Sequence, residues 1–311
     1  MKKDVRNNST FAILVAGLSI VTLLSGCILV KHDLDKTEGM EAEDHSRCLK
    51  VMTINAWYKD YYLDERLQLV ADEILREKPD IVGMQEIRQG GSAGKNRAER
   101  IAELTGYNYT YHYAKRYERY KPDGEEEGLA ILTRHKIIKT DYIPLTNYEE
   151  PDFLKDPWLQ ERICLRAEIA APSGNVLFFD THLCHDDDAE RVDQARDVVD
   201  YVKTFNSTLP MFLVGDFNAE PKSEPIDILT KYFVDVWENY ARSAEGGYTF
   251  SSPMKDGKEP EKRIDYIFVA PTSEFKVIDC QVCFKNHLDF SGEQIYPSDH
   301  EGVMAIIEVE Q

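Results

Sequence analysis

Little of this sequence is basic. Asp and Glu total 56 against 37 Lys and Arg, a formal net charge of −19 over 311 residues. That balance disfavours a protein held on nucleic acid by a broad positive surface. It still allows a brief catalytic encounter bridged by divalent cations. Long apolar runs are missing too: Phe11 to Leu24 falls short of the roughly 20 residues that a spanning helix needs. Cysteine is scarce. Five of the six follow Cys27, an odd number with spacings that suggest no disulfide framework. Cys280-x-x-Cys283 lacks the second pair of a zinc site and sits in an alternating, strand-like segment, so its thiols read as buried or incidental. No repeat and no linker interrupt the chain after Cys48, which predicts one domain, long enough to bury a sizeable core.

The N-terminus reads differently. Lys2, Lys3 and Arg6 precede the apolar run, which closes with Leu24-Ser25-Gly26-Cys27. A positive start, a short apolar run and small residues before a cysteine resemble a bacterial lipoprotein signal. The resemblance implies removal of residues 1–26, lipid on Cys27, and a lipid-anchored, extracytoplasmic location in a bacterial cell envelope. Within residues 27–47, His32–Arg47 is polar, with six acids against two bases and no apolar periodicity, as a tether is. Residues 48–311 form the expected domain.

Cys48–Asn55 alternates as a strand. Asp64 is placed to cap a helix whose apolar face is Leu67, Val70, Ala71, Ile74 and Leu75, ended by Pro79 and Asp80. Ile81–Gln85 reads as a second strand and Asn96–Leu104 as a second helix, with Gly106 as its stop. Strands are then expected at Tyr107–Tyr113, Leu129–Thr133, Ile137–Ile143, Ile163–Ile169 and Val176–Asp180, and a helix at Ala189–Val202. The apolar Met211–Val214 follows, then a short helix near Ile226–Leu229. Strands Ile264–Ala270, Phe275–Phe284 and Val303–Glu308 close the chain. Strands with two unlike faces, and helices at intervals, predict an α/β fold of two packed sheets with helices outside.

Polar residues gather at the ends of these strands. Asn55 follows VMTI, Glu86 follows IVGMQ, and His182 follows FFDT. After FLVG, where Gly215 is read as ending the strand, come Asp216 and Asn218; Phe217 between them is expected to turn back to the core. Asp265 lies inside RIDYIFV, and Asp299-His300 precede the last strand. Buried polar groups cost free energy unless they are paired or functional. Carboxylates and carboxamides together suit a hard cation, a polarised water or a phosphoryl oxygen.

The ordered set TINAW, GMQEI, GLAILTR, DTHLCH, VGDFNAEP, RIDYIFV and PSDHEGV resembles the endonuclease/exonuclease/phosphatase superfamily over Cys48 to Val309. The resemblance implies a four-layer α/β sandwich with two mixed β-sheets, and a metal-dependent hydrolase acting on phosphoester bonds. It implies Mg²⁺, with Mn²⁺ or Ca²⁺ as alternatives, bound by Glu86 with Asn55 close by and Asp299 as a further ligand. By the same resemblance His300 activates water and Asp265 holds its other nitrogen. Asp216 orients the nucleophile, and Asn218 and His182 bond phosphoryl oxygens. Arg162 is a candidate for holding substrate phosphate bidentately, or for a surface salt bridge. His185 and Asp186–Asp188 read as a solvated loop and helix start, and Trp57 and Tyr58 as cleft lining or packing.

The expected reaction is phosphodiester or nucleic-acid hydrolysis outside the cytoplasm, by a monomer that meets the membrane only through its lipid. Tyr113–Lys121, basic and aromatic, suits a nucleotide strand, although neighbouring acids make an exposed mixed-charge loop equally natural. A phosphatase or sphingomyelinase-like phospholipase of the same fold is the alternative, weakened for lipid because no long apolar hairpin stands out. A non-catalytic surface-binding lipoprotein is the third reading, and has no need of the whole residue set.

Overall fold

The computed structural model describes residues 47–309, except 91–93, 117–125, 148–160, 242–245, 252–258 and 273. The expected signal segment, Cys27 and most of the tether lie outside the described residues. The first part of the domain contains β1 (Cys48–Asn55), α1 (Leu63–Glu77), β2 (Ile81–Gln89), α2 (Arg97–Thr105), β3 (Asn108–Arg116) and β4 (Glu126–Thr133). Next come β5 (Lys136–Pro144), β6 (Ile163–Ala171), β7 (Gly174–His182), α3 (Asp188–Lys203), β8 (Met211–Asp216), α4 (Glu224–Thr230), β9 (Val234–Asp235) and α5 (Val236–Ala241). The chain ends with β10 (Asp265–Val269), β11 (Phe275–Cys283), β12 (Leu288–Phe290), β13 (Glu293–Ile295) and β14 (Gly302–Val309).

Two six-stranded sheets result, in the orders β11-β14-β1-β2-β4-β3 and β5-β6-β7-β8-β10-β9. Each is mixed: β1 and β2 run parallel, as do β7 and β8, while their other neighbours are antiparallel. Period-two alternation sends Leu49, Val51, Ile81, Ile131 and Ile307 of the first sheet against Leu165, Phe178, Phe212, Val214 and Ile267 of the second. The opposite faces are covered by helices. Met52, Ile54, Val82 and Met84 pack with Leu67, Val70, Ile74 and Ile101. Phe179, Leu213 and Phe268 pack with Val198, Val202 and Leu229. The result is the four-layer α/β sandwich that the sequence implied.

Local corrections have identifiable causes. Asp64 is not the cap of α1. It lies within the first turn, where its charge suits the helix dipole, and Tyr62 precedes the helix at φ 44° with no side-chain cap. Leu75 is exposed; the buried stripe of α1 instead includes Arg66 and Glu73. The hairpin β12–β13 and the pair β9–α5 were too short to show a period. Cys280 packs between the sheets and Cys283 on the helix side, so the two thiols face opposite ways and cannot share an ion. Burial pushes the Cys280 thiol up to about 12, which suits an inert core group.

Gly215 does not end its strand: β8 continues through it to Asp216. Its backbone sits at φ +149°, and an added Cβ would stand 2.0 Å from the Thr181 carbonyl oxygen on the neighbouring strand. Gly215→Ala is therefore expected to cost roughly 2–4 kcal/mol, from strain and overpacking together. Urea unfolding checks it; a change below about 0.5 kcal/mol would count against this account of the glycine.

Candidate active site

Alternation and register together assemble the site. His182, Asp216 and Asp265 all lie on inner faces of the second sheet: Asp216 and Asp265 are in step with Val214 and Phe212 and with Ile267 and Val269, and His182 with Asp180 and Phe178. The register sets His182 beside Asp216 and Asp216 beside Asp265. One row of three polar residues thus closes the end of an apolar layer. All three are buried.

The first sheet contributes Asn55 from the end of β1, level with Gln85 of β2. Strand β2 then bulges. Met84 pairs with Ala130 and Ile87 with Gly128, so Gln85 and Glu86 together oppose Leu129. A bulge of this kind re-aims side chains, and Glu86 sits at φ 55°. Such a backbone costs about 1–3 kcal/mol in a non-glycine residue and persists only where neighbours over-determine it. Here they do: the Tyr58 N–H donates to Glu86 Oε2 at 2.9 Å, and Asn55 Nδ2 donates to Glu86 Oε1 at 3.1 Å.

The same Asn55 amide donates to Asp216 Oδ2 at 3.0 Å, which ties the two sheets together. Its oxygen accepts the Trp57 N–H. Asn218, at φ 48°, gives its N–H to Asp216 Oδ1 at 2.9 Å, and its side chain lies 3.1 Å from His182 Nε2. Between them Phe217 is buried edge-on against Tyr266 and Phe268, as its expected turn to the core requires. His300 completes the group. Its Nδ1 is 2.9 Å from Asp265 Oδ2 and its Nε2 is 3.7 Å from Asp216 Oδ2. The Phe250 ring lies over it at 4.6 Å between centroids.

Burial sets the protonation. Asp216 is pushed up to about 7 by desolvation and then by the charge of Asp265. Asp299 rises to about 6, again by burial first, with the charge of Glu86 adding to it. Burial and then the positive charge of Arg162 hold His182 well below the ordinary histidine range. For His300 burial acts downward, but Asp265 and Asp216 outweigh it and bring the imidazole up to about 10. The two carboxylates thus favour the protonated form of the His300 ring.

These features fit a hard divalent cation. Glu86, Asp216 and Asp299 offer oxygen donors, the last two desolvated enough to resist ionising without a cation. Asp265 Oδ1 is buried with no hydrogen-bond partner. Asp216, Asp265 and His300 present ligand atoms within 4.8 Å of one another. Asn55 turns its NH₂ rather than its oxygen toward the carboxylates, so in this geometry it clasps Glu86.

Arg162 is buried, not at the surface. It lines a small pocket with Glu86, Glu127 and His182. Its Nη2 lies 3.4 Å from His185 Nδ1, and its Nε has no partner among the described residues. His185 itself is exposed and pairs with Asp186 at 2.8 Å. Asp187 caps α3 by accepting from the Glu190 N–H, as the helix-start reading of that acidic run requires. The side chains of Lys115–Lys121 lie outside the described residues.

Sequence reading missed two supports. Thr249 Oγ1 donates to Asp265 Oδ2 at 2.5 Å, fixing the carboxylate that faces His300; nothing in GYTF marks it. Arg66 donates to the carbonyls of Ala56, Trp57 and Lys59 and to that of Pro297, joining the loop after β1 to the loop before His300. The available signal was a charged residue in register with the buried face of α1. Arg66→Leu is expected to lower stability by about 3 kcal/mol, since it strands buried carbonyls. Thermal melting checks it, and an unchanged melt would remove Arg66 from this account.

Comparison with known proteins bears on the family and the fold. The model of the "Endonuclease/Exonuclease/phosphatase family" matches residues 52–300. The chain is 27% identical over 299 residues to nocturnin of Drosophila melanogaster, covering 79% of this chain and 42% of that one. It is 26% identical over 273 residues to an inositol phosphosphingolipids phospholipase C of Schizosaccharomyces pombe, covering 72% of this chain and 61% of that one. The chain thus spans less than two thirds of either relative. Among solved structures, a mannosyl-6-phosphatase of Bacteroides thetaiotaomicron superposes with a TM-score of 0.64 at 25% identity, covering 85% of this chain and 100% of that one.

Proposed function

The chain belongs to the endonuclease/exonuclease/phosphatase family, and from that premise we propose that it is a divalent-metal-dependent phosphoester hydrolase. We assign it to phosphodiesters, nucleic acid included, outside the cytoplasm. The observation that carries the hydrolase reading is the row His182–Asp216–Asp265 with His300 held 2.9 Å from Asp265.

In this reading Glu86 and Asp299 would hold a divalent cation such as Mg²⁺, which when bound would supply positive charge to polarise the phosphoryl group and offset charge on the leaving oxygen. His300 Nδ1 is committed to Asp265, so Nε2 is the atom that takes a proton from water. Asp216, between both histidines and the Asn55 amide, orients that water. Asn218 and His182 hold the phosphoryl oxygens. Arg162, with no partner on Nε, supplies positive charge beside His182.

A groove that begins at Asn218 and Phe250 is lined by Arg191, Arg196 and Lys262 but equally by Asp188, Asp193, Glu220 and Glu224, a mixed charge that does not select a polyanionic strand. One observation favours the second reading, a phosphatase. A buried arginine at the phosphate position suits the extra charge of a monoester, and a mannosyl-6-phosphatase is among the similar structures. Cys27 and the short apolar run before it support a lipid anchor. Among the described residues no helix is long and apolar enough to cross a membrane.

The deciding assay is a panel of plasmid DNA, single-stranded DNA, RNA, bis-p-nitrophenyl phosphate, p-nitrophenyl phosphate and sphingomyelin, with Mg²⁺, Mn²⁺ or Ca²⁺. EDTA-sensitive cleavage of nucleic acid or the diester is expected. Activity confined to monoesters or to sphingomyelin would replace the diesterase reading; no turnover on any of them would favour a binding protein. Globomycin sensitivity of processing, lost in Cys27→Ala, tests the anchor.

A further inference from the structure

Three polar side chains interrupt the apolar layer between the sheets just behind the site: Thr53 on β1, Gln85 on β2 and Asp180 on β7, all fully buried. Asp180 reaches across from one sheet to the other. Its Oδ2 accepts the Met84 N–H at 3.1 Å, and its Oδ1 lies 2.6 Å from Gln85 Nε2. That nitrogen also meets Thr53 Oγ1 at 3.1 Å. Gly83 makes the reach possible, because a Cβ there would stand 3.2 Å from the Asp180 carboxyl and 2.3 Å from Val214.

We propose that Asp180 is a positioning residue, clasping Met84 and Gln85 across the two sheets and so setting the bulge that presents Glu86. The inference rests on the reading of Glu86 as a metal ligand. Met84 is the last regularly paired residue before the bulge, and Gln85 is the first residue inside it. Glu86 follows in a backbone conformation that needs support on both sides. Asn55 and Tyr58 hold its side chain from in front. Asp180 holds the two residues before it from behind, at a position with no exposure to solvent. Its carboxyl is raised by burial, and the hydrogen bonds it accepts only partly offset that burial.

The chemistry required at position 180 is an oxygen that accepts from Met84 N–H and a second atom that pairs with the Gln85 amide. An asparagine supplies both once the Gln85 amide turns over, whereas alanine supplies neither. The full chain in detergent is compared as wild type, Asp180→Asn, Asp180→Ala and Gln85→Met, the last removing the clasp from the opposite partner. Mn²⁺ binding is read by titration calorimetry, and ion-free crystal structures report the Glu86 backbone.

Asp180→Ala and Gln85→Met are expected to weaken Mn²⁺ binding about 10-fold or more, as loss of a group that orients a ligand does. Asp180→Asn is expected to stay within about 3-fold of wild type on the same grounds. In the crystals, Glu86 leaves its left-handed φ in Asp180→Ala and keeps it in Asp180→Asn. A merely structural role would lower the melting temperature of Asp180→Ala while leaving Mn²⁺ affinity and the bulge unchanged, and that result would overturn the proposal. If wild type binds no Mn²⁺, the reading of Glu86 as a ligand fails instead, and the position of Glu86 in the variant crystals still decides whether Asp180 sets the bulge. If Asp180→Ala does not fold, Gln85→Met carries the same two readouts.

Discussion

Replacing His300 by alanine lowers kcat/KM by about 10³–10⁴-fold, the loss expected for a general base, or about 4–5 kcal/mol of transition-state stabilisation. The expectation rests on a single available atom. Nδ1 is bound to Asp265, so only Nε2 can take a proton, and it lies beside Asp216. A base must be unprotonated to act, yet Asp265 and Asp216 raise His300 to about 10 in the ion-free protein. Activity therefore rises with pH, along a limb that reports deprotonation of His300. Asp265→Asn removes the charge nearest Nδ1, lowers the imidazole's pKa and moves that limb to lower pH. Asp265→Asn also lowers the maximum rate, because the ring loses its anchor. A pH–rate profile for each variant in saturating Mg²⁺ checks both statements. A His300→Ala enzyme within 10-fold of wild type, or a limb that Asp265→Asn moves upward, would end the general-base assignment.

Substitutions of Glu86 separate charge from shape. Glu86→Gln keeps an oxygen for the Tyr58 N–H and a side chain of the same length, while it removes the negative charge. The expected result is a rise of about 100-fold or more in the Mg²⁺ concentration for half-maximal activity, since loss of a group that merely orients a ligand already costs 10–100-fold. Folding is expected to weaken only modestly: the Tyr58 contact is kept, while the new NH₂ faces the Asn55 NH₂ and that one hydrogen bond is lost. Glu86→Ala loses the same affinity and also releases Asn55 Nδ2 and the Tyr58 N–H from one partner each. Its metal-free melting temperature is therefore expected to fall below that of Glu86→Gln. Equal Mg²⁺ requirements in wild type and Glu86→Gln would show that this carboxylate does not hold the ion.

The two experiments probe opposite sides of one cleft. Glu86 and Asn55 come from the first sheet, while His182, Asp216 and Asp265 come from the second. Among the described residues, Asn55 Nδ2 is the one group that bonds carboxylates on both sides, Glu86 at 3.1 Å and Asp216 at 3.0 Å. Asn55→Ala thus frees both carboxylates at once, which makes it a poor probe of either role by itself.

Much of this arrangement was legible in the chain. Residues such as Asn55, His182 and Asp216 follow apolar runs, and a polar group at the end of a buried strand requires a partner or a task. Strand alternation placed Phe217 on the core side and Asp216 on the opposite face, whereas Asn218 lies past the end of β8 at φ 48°, so a left-handed turn rather than alternation brings it back beside Asp216. The helix period of α1 placed Leu67, Val70, Ala71 and Ile74 correctly, but it put the exposed Leu75 on the buried face and hid Arg66, because a charged residue on an apolar face looks like noise until the carbonyls it serves are known. Gly215 misled for a related reason. A glycine after an apolar run commonly marks the end of a strand, and only the Thr181 carbonyl on the neighbouring strand shows why this one lies inside it.

By itself, then, the sequence determined which residue types lie on which face of each strand, since alternation is a property of one extended segment and needs no partner. It determined the two-layered, helix-covered architecture for the same reason. Only the tertiary structure decided which strands lie side by side, and so that His182, Asp216 and Asp265 form one row. It also decided that β2 bulges at Gln85–Glu86, that Asp180 reaches Met84 from the other sheet, and that carboxylates raise His300 while Arg162 and burial depress His182. Register, close approach and mutual electric fields depend on distances between segments far apart in the chain, and local periodicity contains no term for them.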